Sequence, residues 1–102
     1  MAEGTARTET AETLQAGLWE GKLRAERLEG ILRRILRRVA PGRDVHLLVL
    51  DAGEGKCLVA VRHHHHIFQV NFWKDLVDTV LGEPDPYVEQ VLERILVGVL
   101  EN

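Results

Sequence analysis

The chain has 102 residues and a formal net charge of -3, which is enough for one domain and too acidic for a nucleic-acid binder that relies on bulk charge. No apolar run approaches the roughly 18 residues of a membrane span. The single cysteine, Cys57, excludes an internal disulfide, and the absence of serine removes serine nucleophiles.

In chain order, residues 1–9 read as a flexible tail with no apolar anchor, and residues 10–102 as a single α+β domain. A long helix is predicted from about Thr10 to Val39. At 100° per residue, Leu14, Leu18, Ala25, Leu28, Leu32, Ile35, Leu36 and Val39 fall on one stripe. Gly17, Gly21 and Gly30 each weaken it by roughly 1 kcal/mol relative to alanine, so a bend or break is expected near Gly21. Ala40-Pro41-Gly42 ends it.

Asp44–Asp51 and Lys56–Arg62 are strands joined by a turn over Asp51–Gly55. The four histidines from His63 to His66 either turn the chain again or continue a long bulged strand. Ile67–Phe72 is the third strand. Trp73, Leu76, Val77, Val80 and Leu81 have helical spacing, with Gly82 as a stop. Asp85 suits an N-cap and Pro86 a first helical position. Tyr87, Val88, Val91, Leu92, Ile95, Leu96 and Val99 then cover about half of a last helix. The order α-β-β-β-α-α favours a three-stranded antiparallel sheet with helices packed on it.

The first two strands are apolar on both faces. A sheet with one wet face alternates apolar and polar residues, whereas a near-continuous apolar run means that both faces are covered. So short a chain has little material to cover two faces, and the spare face points to a protein partner, either a second copy or a larger complex. Trp19 and Leu23 lie opposite the apolar stripe of the first helix, and Tyr87, Val91 and Ile95 widen the arc of the last. These five are the candidate partner-binding residues, because exposed aromatics carry a large share of interface energy.

Two alternatives rest on other residues. Arg33, Arg34, Arg37, Arg38 and Arg43 form a basic set off the apolar stripe, suited to RNA phosphates. The matching acidic excess lies in Asp75, Asp78, Glu83, Asp85, Glu89 and Glu93. No aromatic alternates with the arginines, so they offer no stacking platform. The histidines suggest metal: His63 and His65 share a face if they lie on a strand. Pairing Asp51 with Lys56 would bring His46 diagonal to His63, as a third ligand for zinc, nickel or copper. No serine, carboxylate-pair or phosphate-loop motif supports an enzyme, and Cys57 sits inside an apolar strand as a filler. The expectation is therefore a non-enzymatic cytoplasmic adaptor. Arginine outnumbers lysine ten to three, and Asn, Cys and Met are scarce, which fits a thermophile or a GC-rich genome.

Several stretches carry a family resemblance: Arg43-Asp44 before the first strand, the Gly53–Gly55 turn, Ile67-Phe68-x-Val70, Leu76-Val77 and Leu92-Glu93-Arg94. The layout over residues 25–100 resembles a small uncharacterised archaeal family with a long helix, three strands and a C-terminal helical region. The resemblance implies an accessory protein associated with translation or tRNA-modification machinery and supplies no catalytic residue. The histidine run and the Glu83–Pro86 break depart from the family pattern, so no metal chemistry follows from it.

Overall fold

Glycine and the β-bulge decide how this chain turns. In a computed structural model, the backbone is described for residues 2–101 and the side chains for residues 19–101. The fold is α+β: helix α1 (Ala2–Val39), strands β1 (Val45–Gly53), β2 (Lys56–His63) and β3 (His66–Phe72), then helices α2 (Lys74–Leu81) and α3 (Pro86–Glu101). The side chains of residues 1–18, which include the tail expected over residues 1–9 and Leu14 and Leu18, lie outside the described residues. No helix of the described residues is long and apolar enough to cross a membrane.

The helix α1 does not break at Gly21. That glycine has another reason to be small: a Cβ there would collide with the Asp51 carboxylate at the end of β1. The Asp51 side chain is itself held, because its Oδ1 accepts a hydrogen bond from the Gly53 N–H at 3.0 Å.

The strands pair antiparallel in the order β1-β2-β3. Asp51 pairs with Cys57 and Gly53 with Lys56, so Ala52 is an extra residue in a bulge. The turn that follows places Glu54 at φ 54° and Gly55 at φ 79°, the two left-handed residues that a type I′ hairpin turn demands. The histidine run is a turn and not a continued strand: His63 pairs with His66, and His64 takes φ 59°. A positive φ at the first of two turn residues is the type II′ pattern.

Alternation then sorts the sheet into two faces. The rows Leu47–Val61–Phe68, Val49–Val59–Val70 and Asp51–Cys57–Phe72 face the helices. There α1 packs on β1 and α2 on β2, while α3 packs on α1 and α2. The core they share includes Leu28, Leu32, Ile35, Val59, Val61, Phe72, Val77, Leu92 and Leu96. Burying each of these side chains contributes about 1.5–3 kcal/mol.

Two local expectations are corrected here. Trp73 does not join the apolar side of α2. It occupies the N-cap position in extended backbone and is 65 % exposed. Gly82 caps α2 at φ -75° rather than in the left-handed stop conformation.

Candidate functional site

Among the described residues, no helix packs on the other face of the sheet. Its rows are His46–Arg62–Ile67, Leu48–Ala60–Gln69 and Leu50–Leu58–Asn71. Leu48 is 52 %, Leu50 47 % and Ile67 65 % exposed. The apolar centre continues past the strand end to Trp73, whose ring lies 5.3 Å beneath the Lys56 ammonium. Polar side chains ring this centre: His46 and Arg62 at one end, Lys56 at the other, Gln69 and Asn71 on β3. The face thus has an apolar centre, a polar rim and an accessible tryptophan.

The candidate partner residues are placed elsewhere. Trp19 and Leu23, 60 % and 40 % exposed, sit one turn apart on α1, with the Lys22 ammonium 5.9 Å from the Trp19 ring. Tyr87 is exposed, while Val91 and Ile95 are half-buried along α3. None of the five reaches the open sheet face, because the helices occupy the opposite side. Leu48, Leu50, Leu58, Ile67 and Trp73 were missing from that set. Their signal was the doubled apolar pattern of the strands, which reveals a spare face but names its residues only once the register is known.

The arginines are spread into clasps within the molecule. Arg34 pairs with Glu89 at 2.7 Å, and Arg38 with Glu93 at 3.3 Å and Glu89 at 4.0 Å. Arg24 pairs with Asp78. Arg33 reaches Glu29 at 3.5 Å and donates to the Leu47 carbonyl at 3.3 Å. The basic stretch of α1 thus meets the acidic excess of α2 and α3. Among the described residues, Arg37 and Arg43 have no carboxylate partner; with Arg33 they line an open cleft of about 400 Å³ beside β1. Reversing Glu89 to Lys sets a third cation against Arg34 and Arg38. Because these groups are largely solvated, the loss should be about 0.5–1 kcal/mol. Denaturant melts of Glu89→Lys alone and with Arg34→Glu check it: the second change should restore part of the loss.

The bulge also moves the histidines apart. It shifts the pairing by one residue from the expected Asp51–Lys56 register. His46 therefore pairs with Arg62 on the open face, and its Nε2 lies 3.0 Å from Asp44 Oδ1. His63 pairs with Val45 on the helix side. His65 belongs to the turn, so it does not share a strand face with His63. Among the described residues, no group of three or more His, Cys, Asp or Glu side chains is placed to hold a metal ion.

The rings of His63 and His64 lie 4.0 Å apart, tilted by 38°. Desolvation, then the charges of His64 and Arg43, hold the His63 imidazole below its usual 6.5. The unfolded chain therefore binds the His63 proton more readily than the folded chain. The stabilising contribution is present above pH 6.5 and is lost as pH falls through the lower folded value. Melting temperatures between pH 7.5 and 5 should fall with acid, and His63→Gln should flatten that slope.

Two further groups are tied to structure rather than chemistry. Burial, and then the Asp51 charge, push the Cys57 thiol above its usual range, which leaves it a poor nucleophile. Hydrogen bonds from Lys74 and then Arg24 hold the Asp78 carboxyl below the usual carboxylate range. No protein-family model, curated protein or solved structure matches this chain.

Proposed function

We propose that the protein is a non-enzymatic interaction adaptor that docks a protein partner on the open face of its sheet. It works as a homodimer or as a small subunit of a larger complex. The observation that carries this reading is the patch of exposed Leu48 and Leu50 with half-buried Leu58, flanked by exposed Ile67 and Trp73. Large apolar side chains exposed together and rimmed by polar ones mark interaction sites. A specific complex on this face would bury on the order of 1,000 Å² or more.

The test places a photo-crosslinking amino acid at Leu48 in cells. A second variant carries it at Glu26, which is exposed on α1. Discrete adducts from position 48 that are absent from position 26, and that disappear when Leu58→Asp is added, are the expected result. No adduct at 48, or the same bands from both positions, overturns the reading.

A further inference from the structure

The two edges of the sheet are finished differently. A two-residue turn closes on a hydrogen-bonded rung, here His63 with His66, and rungs alternate along the ladder. Phe68, Val70 and Phe72 therefore turn their backbone groups toward β2, while Ile67, Gln69 and Asn71 turn theirs to the free edge. The same alternation, carried across β2 to β1, turns the Leu47 carbonyl outward. That carbonyl is the one the Arg33 guanidinium takes at 3.3 Å, so the phase is supported independently. The β1 edge is thus blunted by an arginine and by the bulge at Ala52.

The β3 edge has none of these devices. His66–Phe72 contains no Lys, Arg, Asp, Glu or Pro and no bulge. Natural proteins blunt an exposed edge by such means, and an edge without them is a template for pairing with another strand. The helix-facing side of β3 is also incompletely covered. Phe68 and Val70 are half-buried, and a cleft of about 600 Å³ opens between Phe68, His66 and Leu100.

We propose that the β3 edge binds the β3 edge of a second copy, antiparallel, to form one continuous sheet of twice the width. The sequence of β3 suits itself as partner. With the two-fold axis at Gln69, Ile67 meets Asn71 of the other copy and Gln69 meets its own equivalent. These are the residues whose backbone groups are free, so each rung exchanges a pair of N–H···O bonds. On the helix side Phe68 meets Val70 of the other copy, which joins two half-covered apolar side chains. On the open side the two Gln69 amides can bond to each other. No like charges meet anywhere along the strand, as a self-complementary interface requires. The proposal goes beyond the adaptor reading, because the joined sheets set two apolar patches, separated by a seam of Gln69 and Asn71, on one continuous surface.

The experiment is light scattering on the full chain and three variants. In Gln69→Lys, two ammonium groups face each other at the axis. In Gln69→Pro, an outward N–H is lost while no bond to β2 is touched. The third, Leu48→Asp with Leu58→Asp, alters only the open face. The wild type and the open-face variant should have twice the chain mass. Both Gln69 variants should have the single chain mass, with wild-type circular dichroism. A monomeric wild type, or a dimer that survives both Gln69 changes, overturns the proposal. So does a dimer lost in the open-face variant alone, which assigns self-association to that face. If the edge dimer holds but crosslinking at position 48 finds no partner, the edge proposal stands and the adaptor reading falls.

Discussion

Replacing Leu32 with alanine should cost the fold about 3 kcal/mol, while the same replacement at Leu48 should cost less than about 1 kcal/mol. Leu32 is fully enclosed between α1 and its neighbours, at 0 % exposure, and Leu48 is 52 % exposed. Removing Leu32 leaves a cavity in a core whose other walls are Val, Phe and Leu side chains held by the sheet and by α3. Removing Leu48 leaves only water where water already was. Urea unfolding of both variants measures the contrast. Equal losses would mean that the sheet face at Leu48 is covered in solution, and a concentration dependence of the midpoint that weakens in Leu48→Ala would identify another copy of the chain as the cover.

Changing Gly55 to valine should cost about 2 kcal/mol or more, the next largest single effect. Two demands coincide at this position. Its φ of 79° lies in the region that a β-branched side chain avoids. A Cβ there would also sit 2.7 Å from Lys74 Cγ, which is not the free end of that side chain. The turn would have to open, moving β2 away from the start of α2 and disturbing the Lys74–Asp78 pair at 2.9 Å. Glu54→Gly is the control, since it relieves a left-handed residue in the same turn. It should leave thermal stability equal or higher.

Much of this fold was legible because several signals agreed. The stripe Leu28–Leu32–Ile35–Leu36, the Gly53–Gly55 turn and the Asp85-Pro86 start of α3 each combine periodicity with a residue whose backbone preference fits. The register was not legible. Nothing in Asp51-Ala-Gly-Glu-Gly55 announces that Ala52 is extra, and one extra residue moves His46 to the opposite face from His63. The pairing of the arginines was illegible for a related reason. Arg34 and Arg38 look like a free basic face along the chain. Their carboxylates, Glu89 and Glu93, are more than fifty residues away and meet them only once α3 folds back on α1. Trp73 has helical spacing with Leu76 and Val77, but spacing alone does not distinguish a helix's first buried residue from the residue that caps it.

The bulge at Ala52 has a kinetic side. In most strands, sliding by one residue exchanges oily side chains for polar ones, and the cost of exposure forbids it. In β1 the slide would exchange Leu47 and Val49 for Leu48 and Leu50, aliphatic for aliphatic, at little loss of burial. Hydrophobicity is therefore nearly indifferent to the phase of this strand. What selects the phase is a short-range lock: the left-handed pair Glu54-Gly55, the odd residue before it, and the Asp51 carboxylate on the Gly53 amide. Deleting Ala52 would release that lock and produce a chain with two misaligned ways to collapse, each with a respectable core. Such a chain should refold in more than one phase in stopped-flow refolding, although it lacks only one alanine and keeps nearly all of its apolar surface.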